Sequence, residues 1–209
     1  MALARGDWIG PHQYWWLNMA TLPLTLDLHQ VQLTDDQFYQ LCVNNPDLKL
    51  ERDRHGGLIL MSPVGGEGGS QEASYIIDLG LWNRQTGLGL TFSSSTMFRL
   101  PKGGERSPDA AWVEQSRWDA LTPEQRRQFP PLAPDFVLEL RSRSDPLTLL
   151  RDKMQEYRDS GVRLGWLINP QDQQVEIYRP GQAVEVRSLP TELSGEAVLP
   201  GFRLAVIRF

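Results

Sequence analysis

The sequence predicts a single α/β domain: a mixed central sheet flanked by helices, with additional β-strands at both ends. Three observations carry that reading. Phe136–Leu140 is apolar except for Glu139 and has the length of a buried strand. Leu147–Ser160 follows with helical periodicity and stops at Gly161, a residue suited to the left-handed end of a helix. Arg163–Ile168 is then a second apolar run. Strand, helix and strand in that order imply a parallel pair inside a larger mixed sheet.

The other elements follow in chain order. Residues 1–18 are rich in Trp and Tyr but lack a continuous apolar core and a small-residue cleavage site. They read as a flexible N-terminal extension rather than a signal peptide, with the domain proper spanning 19–209. Thr34 is a good N-cap, and Asp35 and Asp36 fill the first turn of a helix reaching Cys42. Leu48–Arg52 and Leu58–Met61 flank His55-Gly56-Gly57 and read as a hairpin. Pro63 to Gly66 breaks the chain. Ser70–Arg84 reads as a helix, with Ile76, Leu79 and Asn83 near one stripe and Ile77 and Leu81 beside it. Leu88–Ser93 and Thr96–Leu100 are two further strands, and Asp109–Val113 is short and strand-like. Trp118–Phe129 gives one or two short helices, with Thr122 as cap and Pro123 as first helical residue. Val175–Tyr178 is a strand joined to its predecessor through an Asn169-Pro170 turn, and Ala183–Phe209 yields two or three more.

Composition excludes several classes of function. A lone cysteine, Cys42, permits neither an intrachain disulfide nor a cysteine zinc site. His12, His29 and His55 show no ligand spacing. No run reaches the roughly 18 apolar residues of a membrane span, so the expectation is a cytoplasmic protein without membrane contact. The net charge of −5 argues against a surface that coats DNA, because affinity for phosphate comes mainly from Lys and Arg. It leaves room for a local basic cleft, and carboxylates gathered around a cation also make a site acidic before the metal binds.

Glu139 is the most informative residue. A carboxylate inside a central strand costs several kcal/mol (roughly) unless it has a partner, a proton or a metal. The plain alternative is a buried pair with Arg141 or another base. Two Pro-Asp pairs offer a second carboxylate, at Asp109 and Asp135. Asp135 shares Glu139's strand, with attachment points roughly 13 Å apart, too far to hold one ion together. Asp109 starts a different strand that could lie beside Glu139, so it is the better partner, and the turn or cap reading suits Asp135. Two such carboxylates on adjacent strands can bind Mg²⁺. A lysine commonly completes such a site, and in a Glu-x-Lys arrangement it would stand where Arg141 stands. Lys153, in the next helix among Leu149, Leu150, Met154 and Tyr157, is the alternative if it points inward, against a surface pairing with Glu156 or Tyr157. Glu67, within Gly65-Gly66-Glu67-Gly68-Gly69, reads as a third acidic ligand or a helix-start residue. Arg106, Arg141 and Arg143 would contact phosphate or balance carboxylates.

The runs Arg106–Val113, Pro134–Ser142, Lys153–Tyr157 and Gly161–Ile168 closely resemble the Uma2 family of restriction-endonuclease-like proteins, over roughly residues 20–207. The resemblance implies the PD-(D/E)xK nuclease fold. It places metal contacts at Asp109, Glu139 and Leu140, a lysine moved into the following helix at Lys153, and Glu67 at an acidic position before the first core helix. It further implies Mg²⁺ (with Mn²⁺ as substitute), homodimers, and a metal-dependent endonuclease acting on DNA. The alternative is a non-catalytic nucleic-acid-binding or dimeric module that keeps the fold. Where the family commonly has Ser-Pro-Ser-Asp, this chain has Ser142-Arg143-Ser144-Asp145.

Overall fold

The computed structural model describes residues 23–207 apart from His29, so the expected N-terminal extension lies outside the described residues. The chain opens with β1 (Leu24–Leu26) and α1 (Asp35–Asn44). Thr34 and Gln37 cap α1 reciprocally, each side chain bonding the other's backbone N–H, as the Thr-x-x-Gln spacing allows. β2 (Leu50–Arg52) and β3 (Leu58–Leu60) form the expected antiparallel hairpin.

The next helix, α2 (Gly66–Thr86), starts earlier than the sequence suggests. The glycine-rich stretch forms its first turn rather than a bend before it. Gly65 is the N-cap, and Glu67 sits where the partial positive charge of a helix start favours a carboxylate. Glycine is a poor helix former, but packing along a 21-residue helix outweighs local propensity here. The buried stripe runs through Tyr75, Leu79 and Trp82; Ile77 and Leu81, expected beside it, face outward.

β4 (Gly89–Ser93) and β5 (Phe98–Arg99) follow, then β6 (Glu105–Arg106), too short to register as a strand in the sequence. β7 (Ala110–Glu114) leads into α3 (Gln115–Asp119) and α4 (Pro123–Arg127), the latter capped by Thr122. β8 (Phe136–Leu140), α5 (Leu147–Asp159) and β9 (Leu164–Asn169) form the strand–helix–strand unit, with β8 and β9 parallel. β10 (Gln174–Tyr178), β11 (Glu185–Ser188), β12 (Thr191–Ser194) and β13 (Arg203–Val206) complete the chain.

The strands make a six-stranded sheet in the order β11-β10-β9-β8-β7-β4, a five-stranded sheet in the order β1-β3-β2-β6-β5, and the β12–β13 hairpin. Side-chain alternation divides the six-stranded sheet into two faces. Phe136, Leu138 and Leu140 of β8 join Ala110 and Trp112 of β7 against Tyr75, Leu79 and Trp82 of α2, with the hairpin residues Leu193 and Leu204 beside them. Val137 of β8 joins Ala111 and Val113 of β7 against Leu150, Met154 and Tyr157 of α5. Odd-numbered positions of β7 and β8 therefore face α5, and Asp109 and Glu139 are odd-numbered. The same rule that builds the core aims both carboxylates at one helix.

Two glycines test this packing. A Cβ on Gly89 would lie 2.2 Å from the main-chain oxygen of Val113, which the β4–β7 ladder fixes. Gly89→Ala should therefore lower unfolding free energy by about 1–3 kcal/mol. Gly80, inside α2, has open space where a Cβ would stand, so Gly80→Ala should raise stability by about 0.5–1 kcal/mol. Chemical denaturation of both variants measures the contrast, and a neutral Gly89→Ala would contradict the close β4–β7 approach.

Candidate functional site

The β7–β8 register pairs Ala110 with Leu138. One step further along the antiparallel ladder sets Asp109 opposite Glu139, a spacing of about 4.5–5.5 Å between directly opposed Cβ atoms. The Leu140 N–H donates to Asp109 Oδ2 at 2.7 Å, which fixes Asp109 against the end of β8. Glu139 is 3% exposed and lies among polar groups from α5. Tyr157 donates its hydroxyl to Glu139 Oε1 at 3.0 Å, and Lys153 Nζ sits 2.9 Å from the same oxygen.

Lys153 points inward because Leu150, Lys153, Met154 and Tyr157 form the i, i+3, i+4, i+7 stripe of α5 that faces the sheet. Its stem lies along that stripe, and its ammonium has acceptors on three sides: Glu139, Glu51 Oε1 at 2.9 Å and the Ser107 carbonyl at 3.1 Å. Glu51, on β2, also accepts from the Ser107 N–H and from Arg106. Arg106 reaches Glu156 of α5 through two parallel bonds of 2.7 and 2.9 Å.

The ionisation states follow from these contacts. Burial would push Glu51 upward, but Lys153, Arg106 and the Ser107 N–H hold it below the ordinary carboxylate value. For Glu139 burial dominates over Lys153, and the Asp109 and Glu51 carboxylates push the same way, so its pKa rises to about 8. Burial likewise lifts Asp109 to about 6 against the pull of Lys153 and the Leu140 N–H, with Glu72 of α2 adding to the rise. Lys153 stays protonated well above its usual range: burial opposes this, but Glu139, Glu51 and Asp109 outweigh it.

These residues fit a divalent cation. Asp109 and the buried Glu139 share only one nearby ammonium, Lys153, which Glu51 also claims, whereas Glu51 and Glu156 are further paired with Arg106 and Arg54. Among the described residues no three His, Cys, Asp or Glu side chains form a ready cation cage. Two carboxylates, main-chain oxygen at Leu140 and water would be the ligand set, as suits a small hard ion that keeps part of its hydration.

The remaining sequence candidates separate. Glu67 does not join the cluster. Its side chain is 88% exposed and stands 3.6 Å from Arg143, because it lies on the outer side of the first turn of α2. Glu72, just over one turn later, is the α2 carboxylate that Asp109 senses. Arg106 is buried and committed to Glu51 and Glu156, so it supports the lysine cluster and offers no phosphate contact. Arg141 caps the end of β8, bonding the Asp145 carbonyl, Asn169 and Asp172. Arg143 is almost fully exposed on a turn that Asp145 closes by accepting from the Ser142 N–H. Asp135 serves at the opposite end of β8, where Arg117, Arg163 and the Glu114 N–H bind it.

The Uma2 profile, described as "Putative restriction endonuclease", matches residues 35–207. The chain belongs to the Uma2 family. Among solved structures, this Uma2 chain resembles a protein titled "a putative nuclease belonging to DUF820 from Anabaena variabilis ATCC 29413". The TM-score is 0.69 at 20% identity, over 83% of this chain and 94% of that one. No curated protein matches the chain. This Uma2 chain shares that protein's fold, and Asp109, Glu139 and Lys153 come together at one end of its central strands. No helix among the described residues is long and apolar enough to cross a membrane.

Glu51, Ser107 and Glu72 escaped the sequence reading as site residues, and Tyr157 and Glu156 entered it only as helix neighbours and surface partners of Lys153. Glu51 lies in Lys49-Leu50-Glu51-Arg52-Asp53-Arg54, whose alternating charges look solvated. Its burial comes from β2 lying between β3 and β6, against α5. The usable signal was Lys153 itself, since an inward lysine requires more than one acceptor.

A pH test follows from the raised carboxyls. In the metal-free protein the fold favours protonated Glu139, whose ordinary value is 4.5. That stabilisation is complete below pH 4.5 and is lost as pH climbs through about 8. Melting temperature in chelator should fall across this window for the wild type. Glu139→Gln, uncharged throughout, should flatten the profile, whereas parallel profiles would contradict the assignment.

Proposed function

We propose that this Uma2 protein is a metal-dependent endonuclease that hydrolyses phosphodiester bonds of DNA, with Mg²⁺ as its ion and Mn²⁺ as a substitute. The observation that carries the reading is the convergence of Asp109, bound by the Leu140 N–H at 2.7 Å, and the neighbouring Glu139, with the Lys153 ammonium 2.9 Å from Glu139. A bound divalent ion would lower the pKa of a coordinated water and stabilise charge on the scissile phosphate. Asp109, Glu139 and the Leu140 main chain would hold it. Lys153 keeps a fixed positive charge beside Glu139, preorganised for the negative charge that grows on the phosphate. Tyr157 holds the Glu139 carboxylate in orientation by donating to Oε1.

A groove of about 730 Å³ between the start of α2 and the Arg141–Ser144 segment supports the substrate assignment. Arg143 and the glycine-lined first turn of α2 stand along it, which allows close approach of a phosphate backbone. The same reading includes a homodimer. β4 is an edge of the central sheet, and Ile77 and Leu81 project from α2, which packs on β4. That edge and its apolar neighbours support self-association. Leu81→Glu should shift sedimentation from dimer to monomer, and an unchanged dimer would exclude this face.

One observation favours a second reading, a nuclease fold kept as a nucleic-acid-binding module: Lys153 already has acceptors on three sides. The assay that separates the two is plasmid cleavage with Mg²⁺ or Mn²⁺. Wild type should nick the plasmid. Asp109→Ala and Glu139→Gln should abolish nicking, and Lys153→Met should lower kcat on the order of 10²–10³-fold. DNA binding by a wild type that cleaves neither DNA nor RNA would establish the module instead.

A further inference from the structure

A lysine touching a metal carboxylate poses a conflict. The ammonium and the ion both draw on the same negative charge, and a lysine with Glu139 as sole counter-ion would oppose metal binding. Glu51 supplies what removes the conflict. It is 1% exposed and comes from the five-stranded sheet rather than from the strands bearing Asp109 and Glu139. Both of its oxygens are fixed: Oε1 accepts Lys153 Nζ at 2.9 Å and the Ser107 N–H at 3.0 Å, and Oε2 accepts Arg106 at 3.1 Å. Arg106 is in turn held by the two-bonded Glu156 of α5. A cavity of about 440 Å³ meets this chain of charges at Glu51, Arg106, Lys153 and Glu156, and neither Asp109 nor Glu139 lines it. That cavity thus reaches Glu51 and Lys153 without reaching either carboxylate assigned to the metal.

We propose that Glu51 is a positioning residue: the standing counter-ion of Lys153, which holds the ammonium in place while Glu139 gives its charge to a divalent cation. This rests on the metal-dependent reading above. Glu51 touches neither substrate nor ion; it acts through Lys153.

Calorimetric titration of the full chain with Mn²⁺ tests it. Glu51→Gln should weaken Mn²⁺ binding by about tenfold or more, the usual cost of losing a group that orients a metal ligand. The double variant Glu51→Gln/Lys153→Met should recover to within about threefold of wild type, because no ammonium then competes for Glu139. Glu51→Gln binding Mn²⁺ like wild type overturns the proposal alone, as does a double variant as weak as the single one. Asp109→Ala binding like wild type, or a wild type that binds no Mn²⁺, removes the metal reading and this proposal with it. Wild-type protein gives a second measurement, independent of whether Glu51→Gln folds. The ¹⁵N resonance of the Lys153 ammonium should persist, protected from exchange, when Mg²⁺ saturates the site. A freely exchanging, unprotected signal overturns the proposal.

Discussion

The buried ammonium of Lys153 is the contact on which the rest of the arrangement depends. Moving a lone cation out of water costs several kcal/mol (roughly), and an inward lysine persists only where acceptors are already placed. Three separate stretches of chain provide them: Glu51 on β2, the Ser107 carbonyl after β6, and Glu139 on β8. The lysine thereby joins the five-stranded sheet, the six-stranded sheet and α5 at one point. The extra bonds from Arg106, Tyr157 and the Ser107 N–H leave few lone pairs of the cluster unmet, which is the condition for a buried ionic network to be tolerated.

Core and site are built by one periodicity. Alternation along β7 and β8 sends large apolar side chains to α2 and sends Asp109 and Glu139 toward α5. A slip of one residue would invert this, placing Leu138 and Leu140 over Lys153 and burying Glu139 against Trp82. Asp135 guards against such a slip at the far end of β8. Its backbone bonds Trp112, Arg163 and Leu164, and its carboxylate gathers Arg117 and Arg163. The second Pro-Asp pair is thus a register pin, and the first is where the chemistry gathers.

Residues whose role is local were legible in the sequence, and residues whose role depends on distant packing were not. Thr34, Thr122 and Gly161 announce helix ends through their own backbone preferences. Phe136–Leu140 announces a buried strand by composition, and a carboxylate inside it marks Glu139. Strand spacing sufficed to prefer Asp109 over Asp135. Glu51 and Arg106 lie in strands of three and two residues, too short for any pattern to show which face is buried. Of the two readings of Glu67, the helix-start residue is the one found, and the packing of Tyr75, Leu79 and Trp82 draws the helix back through the glycines around it. The Glu72 carboxylate, one turn further in, had no mark of its own.

Glu51 and Glu139 belong to different sheets, and that has a consequence for how readiness is acquired. The unit from β8 through α5 to β9 is contiguous and carries Glu139, Lys153 and Tyr157, yet it lacks the partner that settles the lysine. The cluster comes into being only when the two sheets dock. With the five-stranded sheet unfolded, Lys153 keeps Glu139 but loses Glu51 and the Ser107 carbonyl. The complete set of partners around the lysine is thus a property of the closed domain and of no single stretch of its chain.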